Sequence, residues 1–167
     1  PYARLTHVME QISVSRELTF RAVDEGTGKE LDSDHYDPYY WHLWVWDYAK
    51  SELAGGYRLA KVDELLSERG VNSLYSYSLY KYSEDFLKSM SGAVEVGRSF
   101  VAPNYQRHPR VLDLLWKGIG AFIVANPGYH SLFGGVSISQ QYSLLARAFL
   151  ADSFTEHFSV DTTLSRS

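Results

Sequence analysis

One apolar stretch of the sequence, residues 93–106, carries a carboxylate and a guanidinium three residues apart. These charges belong to Glu95 and Arg98, and the apolar pattern stops at Pro103. The pattern predicts a central β-strand. Burying either charge costs several kcal/mol unless the charge is paired or takes part in chemistry. A strand that carries both is therefore the best candidate in this sequence for a functional site.

The spacing of the two charges predicts a distortion of that strand. In a regular strand Glu95 and Arg98 face opposite sides, because their separation is odd. Gly97 lies between them, where a β-bulge forms most easily, and a bulge would turn the arginine towards the face of the glutamate. It would also free backbone N–H groups that could bind a ligand.

Other polar residues are candidates for the same site. Arg58 lies in an alternating strand pattern among small apolar neighbours, where an arginine either reaches solvent or meets an acid. Residues 32–40 form an acidic, aromatic loop that includes Asp34 and Asp37. These acids could bind a cation. The absence of a calcium-loop pattern favours the alternative, a solvated loop with ordinary turn and cap aspartates.

The elements that position these side chains follow from hydrophobic periodicity. Helices are predicted at residues 2–23, 64–69, 84–90, 110–126 and 140–152, and strands at residues 42–47, 54–62, 93–102 and 131–139. The helix at residues 110–126 is apolar on most sides, so we expect it to be buried against the sheet. Asp63 is expected to cap the second helix and Gly70 to end it.

Tyrosine and serine alternate in residues 74–82. Such a segment is typical of a half-buried strand or an extended loop. Its rings could line an apolar slot with hydroxyl groups at the rim, but ordinary core packing is the favoured interpretation.

Composition restricts the class of protein. A chain of 167 residues corresponds to one domain and can bury a core. Its net charge of -4 gives no basic surface, which argues against nucleic acid as a partner. The chain has no cysteine, which excludes disulfides, a thiolate nucleophile and Cys-ligated zinc, and fits a reducing compartment such as the cytoplasm. The longest uncharged apolar stretch, residues 118–127, is too short to span a bilayer, so membrane contact would be peripheral.

Several enzyme motifs can be excluded from the sequence. Residues 135–139 lack the closing glycine of a nucleophile elbow, and the histidines form no His-Glu-x-x-His pair. The glycines at residues 118–120 lie inside a predicted helix, so they cannot form a dinucleotide turn. Residues 26–29 lack the first glycine of a phosphate loop. No metal site is predicted.

Four motifs together resemble the hemolysin-like N-acyltransferases. They are GGYRL at residues 55–59, VEVGRSFVAPNYQR at 94–107, LWKGI at 115–119 and LFGGVSIS at 132–139. That family includes bacterial ornithine and glycine lipid N-acyltransferases, belongs to the N-acetyltransferase (GNAT) superfamily and is similar in fold to acyl-homoserine lactone synthases. The resemblance covers about residues 16–142.

The resemblance implies a fold and a domain division. The fold is α/β (α+β), a GNAT-like mixed, mostly antiparallel central sheet flanked by helices. This domain would occupy residues 1–157, followed by a polar tail at residues 158–167. In longer relatives the module follows a glycerolipid-type O-acyltransferase domain. A chain that opens at Pro1 without an initiator methionine is expected to be a processed product or a piece of such a protein.

The resemblance also implies an activity and a set of site residues. The activity would move a 3-hydroxyacyl group from acyl carrier protein to an amino-acid amine in aminolipid synthesis, in a cytoplasmic enzyme that could touch the inner membrane, with no permanent cofactor. Glu95 and Arg98 match the catalytic acid-x-x-arginine strand, and Arg21 matches the arginine of the first helix. The implied substrate-binding residues are Arg58, Asp34, Asp37, Arg21, Ser99 and Val101.

One departure from the superfamily pattern concerns the acyl donor. The coenzyme A signature, Gln/Arg-x-x-Gly-x-Gly/Ala, is replaced by QRHPRV at residues 106–111. Without those glycines the backbone cannot close around a pyrophosphate in the usual way, although the start of the helix still offers N–H groups. The carrier-protein arm is therefore preferred to acyl-coenzyme A as the donor.

The mechanism that this predicts is direct transfer. Glu95 would accept a proton from the attacking amine, and N–H groups of the bulged strand would stabilise the oxyanion. Arg98 and Arg58 would hold the acceptor carboxylate or orient Glu95, and the paired aspartates would hold a cationic end of the acceptor. One alternative is a non-catalytic module that binds acyl chains or carrier protein, in which Glu95 and Arg98 form a structural ion pair. Another is a signal synthase that uses S-adenosylmethionine.

Overall fold

Four strands form one sheet whose spatial order follows the chain. The computed structural model describes residues 5–158. Its elements are α1 (Thr6–Arg21), β1 (Trp41–Asp47), β2 (Glu52–Lys61), α2 (Val62–Arg69), α3 (Glu84–Ser89), β3 (Ala93–Val101), α4 (Val111–Ala125), β4 (Ser131–Phe133) and α5 (Leu144–Phe158). β1, β2 and β3 are antiparallel, and β4 runs parallel to β3. This architecture confirms the predicted mixed, mostly antiparallel sheet flanked by helices.

A β-bulge interrupts the pairing of β2 with β3. Gly56 pairs with Phe100 and Arg58 pairs with Gly97, so β3 has one residue more than β2 between the two pairs. Arg98 lies in this extra length and has a φ of +47°. The bulge confirms the kink predicted for this strand, although the positive φ falls on the arginine rather than on the neighbouring glycine.

β4 is much shorter than the predicted strand at residues 131–139. Its pairing with β3 ends where Glu95 meets Phe133. At the next residue, Gly134, a Cβ atom would lie 2.0 Å from the carbonyl oxygen of Val96, so only glycine fits between the two backbones. Residues 135–139 then leave the sheet. Within residues 5–158, no strand pairs with this edge of β3 beyond Glu95, and a cleft opens there.

Helices cover both faces of the sheet. On one face Ile119 of α4 packs with Leu59. On the other, Met9 and Ile12 of α1 pack with Phe100. Burying each large apolar side chain stabilises the fold by roughly 1.5–3 kcal/mol. The sheet is therefore fixed between α1 and α4, and β3 is held from both sides.

The loop before β1 packs on the α1 face of the sheet. Tyr36 and Tyr40 from this loop form a buried cluster with Ala60, Leu65 and Leu74. The aromatic residues of the loop thus reach the part of β3 that carries Glu95. They bring the loop's aspartates over the sheet instead of into solvent.

The burial of α4 differs from the sequence expectation. Only the face formed by Val111, Leu115 and Ile119 is buried. Leu112 and Trp116 are more than half exposed. The expectation that α4 is buried on most sides was therefore wrong. A helix that packs on one face of a sheet buries only one stripe of its surface, whatever the composition of the other sides.

Two local expectations were wrong. Asp63 does not cap α2; it lies in the first turn, and its Oδ2 accepts a hydrogen bond of 2.9 Å from the Gly92 N–H. Residues 74–82 form no long strand, and their backbone turns in a 3₁₀ helix at Ser76–Ser78. The expectation that Gly70 ends α2 was confirmed. Ser83 caps α3 by accepting a hydrogen bond from the Phe86 N–H.

The last described element, α5, has no buried residue. It extends the predicted helix at residues 140–152 to Phe158. The predicted polar tail was residues 158–167; Phe158 belongs to α5, and residues 159–167 lie outside the described residues. Between residues 5 and 158, no helix combines the length and apolar composition needed to cross a membrane.

Candidate active site

Glu95 is held by two hydrogen-bond donors from different loops. Its Oε1 accepts a 2.6 Å hydrogen bond from the Ser76 N–H, and its Oε2 accepts one from the Tyr40 hydroxyl. The Tyr40 oxygen in turn accepts a 2.8 Å hydrogen bond from the Tyr75 N–H. Glu95 is only 2% exposed, yet it lines a cavity. The carboxylate is therefore fixed in position and lies at the wall of a space that a ligand can enter.

The sequence left open whether Arg58 reaches solvent or meets an acid, and in the structure it contacts two acids. Its Nη1 donates to Asp34 Oδ1 at 2.7 Å and to Asp37 Oδ1 at 2.9 Å. The guanidinium also lies over the rings of Tyr40 and Tyr75, at 4.9 and 5.0 Å from their centroids. A buried guanidinium with two acids and two aromatic faces is firmly placed. It ties the acidic loop to β2.

Arg16 of α1 completes this network from the opposite side. Its Nη1 and Nη2 donate to the two carboxylate oxygens of Asp37, each at 2.9 Å. The same guanidinium donates from Nε to the carbonyl oxygen of Asp32 at 3.0 Å. Arg16 and Asp37 are both fully buried. A bidentate pair of this kind fixes the orientation of the loop relative to α1.

The electrostatics of the aspartates follow from these contacts. Burial opposes ionisation of Asp37, but the hydrogen bonds and charge of Arg16 and the charge of Arg58 outweigh it and lower the pKa of Asp37 to about 2. Burial raises the pKa of Asp32 against the opposing charges of Arg16 and Arg98. Asp37 is therefore the charged centre of the network.

The acidic loop thus differs from both sequence interpretations. It is not a solvated loop, because Asp32 and Asp37 are buried and paired with arginines. Nor do the described residues contain a group of three or more histidines and acids that could hold a metal ion. The acids neutralise arginines that come from α1, β2 and β3.

Arg98 lies on the same face as Glu95 and makes looser contacts. Its Nη2 is 3.6 Å from Asp32 Oδ1 and 3.8 Å from Asp34 Oδ2, beyond hydrogen-bonding distance. Its guanidinium lies 5.1 Å from the centroid of Tyr75, and its Nε has no hydrogen-bond partner. The side chain is 20% exposed and lines the same cavity as Glu95. Among the described residues, Glu95 and Arg98 form no ion pair with each other, so the pair expected for a non-catalytic module is not formed.

The cavity occupies the cleft where β4 leaves β3, and its volume is about 480 Å³. One wall is β3 from Glu95 to Ser99, and the other is residues 135–140. An adjoining cavity of about 390 Å³ shares Ser99 and extends to Val101 and Gln106. The two cavities adjoin at Ser99 and lie along the free edge of β3. An extended chain can lie along this edge and reach Glu95.

Some of the predicted site residues line the cavity, and others are buried in the interior. Glu95, Arg98 and Ser99 line the cavity, and Val101 lines its extension. Arg58 and Asp37 are buried in the arginine–aspartate network, and Asp34, which is partly exposed, bridges the two arginines of β2 and β3. The structure therefore brings most of the predicted site to one face of β2 and β3.

Arg21 is the predicted residue that the structure keeps apart from this group. Its side chain is 54% exposed and pairs with Glu17 one turn earlier. Hydrogen bonds from Thr27, against the opposing effect of burial, lower the pKa of Glu17 to about 2. Glu17 and Arg21 thereby anchor the loop at residues 26–29.

The sequence pattern did not indicate three residues that the structure places next to Glu95 or in the network around it. Arg16 could have been found, since it continues the buried face of Met9 and Ile12 at helical spacing. Tyr40 and Arg147 carried no local signal. Tyr40 contacts Glu95 across the fold, and Arg147 reaches the cavity from α5.

This chain is similar to one known protein family and to two proteins of known activity. The family model described as acetyltransferase (GNAT) domain matches residues 15–117, well over half of the chain. The chain is 36% identical over 168 residues to a glycine N(alpha)-acyltransferase of Phocaeicola vulgatus, covering 94% of this chain and 52% of that protein. It is 34% identical over 163 residues to a glycine N(alpha)-acyltransferase of Bacteroides thetaiotaomicron, covering 91% of this chain and 48% of that protein. The chain thus spans about half the length of the curated relatives it matches. No solved structure matches it significantly.

Proposed function

Because the chain belongs to the acetyltransferase (GNAT) domain family, a family of acyltransferases, we propose that it transfers a fatty acyl group from a thioester to an amino-acid amine. The names of its two relatives make glycine the first acceptor to test. The observation that carries the proposal is the cleft along the free edge of β3, with Glu95 and Arg98 on its wall. The ornithine-lipid branch suggested by the sequence motifs stays a prediction.

The cleft supports an extended acyl donor. β3 has no strand partner on this edge beyond Glu95 within the described residues, so its backbone groups can bind an extended arm as a neighbouring strand would. The bulge at Arg98 changes the direction of the N–H groups next to Glu95. We propose that these N–H groups stabilise the oxyanion that forms when the amine adds to the thioester carbonyl.

Glu95 is the proposed base. The amine nitrogen attacks the thioester carbonyl carbon, and Glu95 accepts its proton directly or through one water molecule. The tetrahedral intermediate then collapses, the C–S bond breaks, and the thiolate leaves and takes up a proton. The products are an N-acyl amino acid and a free thiol. The hydrogen bonds from Tyr40 and Ser76 hold the carboxylate in place for this step.

The arginine–aspartate network has a supporting role in this proposal. Arg58 and Asp37 form a buried ion pair in the interior, and neither residue lines the cavity that contains Glu95. A substrate could reach Asp37 only by breaking that pair. Breaking such a pair is costly. We therefore assign Arg16, Arg58 and Asp37 to holding the Tyr40 loop over Glu95. Arg98, whose contacts are loose, is left for the acceptor.

The donor is proposed to be a 3-hydroxyacyl group on acyl carrier protein. Enzymes of this family use acyl-coenzyme A as cosubstrate, but residues 106–111 lack the glycines that close the backbone around its pyrophosphate. A carrier-protein arm needs no pyrophosphate site. The product would be an aminolipid or its precursor, made in the cytoplasm with peripheral contact to the membrane.

A direct assay tests the proposal. The chain, and the longer protein where one exists, is incubated with 3-hydroxyacyl carrier protein or the matching acyl-coenzyme A, together with glycine, ornithine or another amino acid. We expect N-acylglycine by mass spectrometry with one thiol released per product. Binding of the thioester without any N-acyl product would instead support the non-catalytic module.

A further inference from the structure

Arg147 lines the cavity that contains Glu95 and has no ion-pair partner in the described part of the chain. It lies in the first turn of α5, and its side chain reaches the cavity that also contains Glu95 and Arg98. Its Nε is buried without a hydrogen-bond partner. No ion pair of Arg147 occurs within residues 5–158. A buried donor of a charged group that is left unpaired is costly, so the space next to it is a favourable place for an anion.

Most other arginines near the cleft are already paired. Arg16 and Arg58 bind Asp37, and Arg21 binds Glu17. Arg98 is the exception, because its nearest acids are beyond hydrogen-bonding distance and its Nε is buried without a partner in the described residues. Arg58 also has an unpartnered Nη2, but it does not line the cavity. The cavity is thus lined by two guanidinium groups with unused donors, Arg98 and Arg147.

The two guanidinium groups come from opposite walls of the cleft. Arg98 belongs to β3, whereas Arg147 follows the segment at residues 135–140 that forms the other wall. The acids of this cavity are Glu95 and Glu25, and Glu25 accepts a 2.8 Å hydrogen bond from the Ser137 hydroxyl. A ligand between the walls therefore meets two positive groups and the proposed base in one space of about 480 Å³.

We propose that Arg147, together with Arg98, binds the carboxylate of the acceptor amino acid. This rests on the proposed N-acyltransfer and names the residues that select the acceptor. An amino acid held by its carboxylate presents its amine within the cavity that Glu95 lines. A phosphate of the donor does not fit this position equally well, since the pantetheine arm separates the phosphate from the thioester that reacts at Glu95. The site requires a free carboxylate on the acceptor and therefore discriminates against simple amines and amino-acid amides.

The test compares acceptors with and without a carboxylate. Arg147→Met is assayed with glycine and with glycinamide, with the acyl thioester saturating. Because hydrogen bonds to charged groups are worth about 1.5–3 kcal/mol, we expect kcat/KM for glycine to fall roughly 10- to 100-fold, mainly through KM. The value for glycinamide should change less than about twofold, since that acceptor has no carboxylate to bind. Arg147→Lys should recover part of the loss for glycine, because it keeps the charge without the planar fork.

The matched control is Lys117→Met, which removes one exposed positive charge from α4 on the other face of the sheet. It should leave both acceptors unchanged. Since α5 has no buried residue, Arg147→Met should keep the wild-type Tm, and a Tm measurement checks this.

The outcomes separate this proposal from the proposed function. N-acylglycine formation with an unaltered KM for glycine in Arg147→Met would overturn the carboxylate site and leave the transferase intact. A rise in KM for the thioester, equal for both acceptors, would assign Arg147 to the donor and also overturn it. If wild-type protein acylates no amine at all, the proposed function itself fails.

Discussion

The hydroxyl of Tyr40 donates a hydrogen bond to Oε2 of Glu95 and so connects the loop before β1 directly to β3. Burial, together with the negative charge of Glu95, raises the pKa of Tyr40 far above its ordinary value. Tyr40 therefore stays a hydrogen-bond donor at any pH at which the protein is folded. The position of Glu95 depends on the loop that carries Tyr40, and that loop is held by Arg16 and Arg58.

The first prediction concerns Glu95→Gln. Loss of the carboxylate removes the proposed proton acceptor, and general-base assistance is typically worth about 100- to 10,000-fold. We expect kcat to fall by this order in a thioester assay with glycine. The fold should persist, because the amide oxygen can still accept from the Ser76 N–H and the Tyr40 hydroxyl can turn to the Ser73 carbonyl oxygen, 3.2 Å away.

The control for this variant is Glu64→Gln, which changes an exposed glutamate that pairs only with Lys61. It should retain wild-type turnover. A Glu95→Gln protein with an unchanged Tm and an unchanged kcat would remove Glu95 from the role of base.

The second prediction concerns acid pH. The pKa of Asp37 is lowered from 3.8 to about 2 in the folded protein, and that of Glu17 from 4.5 to about 2. A lowered carboxyl pKa stabilises the fold above the unfolded pKa, and this stabilisation is lost as the pH falls through the folded pKa. The free energy of unfolding should therefore decrease as the pH is lowered from about 4.5 to about 2, with a smaller opposite contribution from Asp32, whose pKa is raised.

Denaturant unfolding of Asp37→Asn across this pH range isolates the contribution of Asp37. At neutral pH the variant leaves Arg16 and Arg58 without their shared acid, so it should lose about 3–5 kcal/mol. The difference from wild type should shrink as the pH falls towards 2, because Asp37 is then protonated in the unfolded chain and about half protonated in the folded protein. A difference that is constant with pH would contradict the ion-pair assignment.

The third prediction concerns the point where β4 leaves β3. A Cβ atom at Gly134 would lie 2.0 Å from the Val96 carbonyl oxygen, whereas one at Gly135 would lie 3.4 Å from the Leu79 side chain, an ordinary contact. Gly134→Ala must therefore push the strands apart at the base of the cleft. We expect a loss of stability of about 1–3 kcal/mol, as for other overpacked sites, and a clear loss of activity.

Gly135→Ala is the matched control, one residue further along the same wall. It should change the free energy of unfolding by less than about 1 kcal/mol. Equal effects of the two substitutions would mean that the close backbone approach at Gly134 does not determine the shape of the cleft.

The fourth prediction tests the backbone of the bulge. Arg98 has a φ of +47°, a left-handed conformation that costs a side-chain-bearing residue roughly 1–2 kcal/mol and glycine almost nothing. Arg98→Ala and Arg98→Gly should both lose the acceptor contact and activity. The glycine variant should nevertheless be the more stable by about 1 kcal/mol.

The same pair of substitutions at Ser99 provides the reference. Ser99 has no positive φ, so there alanine should be at least as stable as glycine. Thermal or denaturant unfolding of the four proteins compares the two positions. Arg98→Gly no more stable than Arg98→Ala would exclude the strained bulge.

The strands of the sheet could be predicted because apolar and polar residues alternate clearly along them. Residues 42–47 and 54–62 were placed within two residues of β1 and β2. The kink in β3 was predicted from the odd separation of Glu95 and Arg98 and from the glycine between them. These are local patterns, and local patterns can be recognised in one sequence.

The parts that failed depend on contacts between distant segments. The role of Arg16 was missed because only the folded loop shows that this arginine of α1 meets Asp37, and Arg21 as a site residue stays a prediction. The predicted strand at residues 131–139 was cut short by one backbone approach at Gly134. The sequence around Arg147 did not indicate a site residue. Its position in the cavity depends on the path of residues 135–140, which precede α5.

Three residue pairs attach β4 to β3, whereas seven join β1 to β2. Separation of β4 from β3 therefore breaks few backbone hydrogen bonds and leaves the antiparallel strands β1, β2 and β3 paired. Of the two walls of the cleft, the one formed by residues 134–140 is therefore the easier to displace. We expect a bulky guest to be accommodated by outward displacement of residues 134–140, with the positions of Glu95 and Arg98 unchanged.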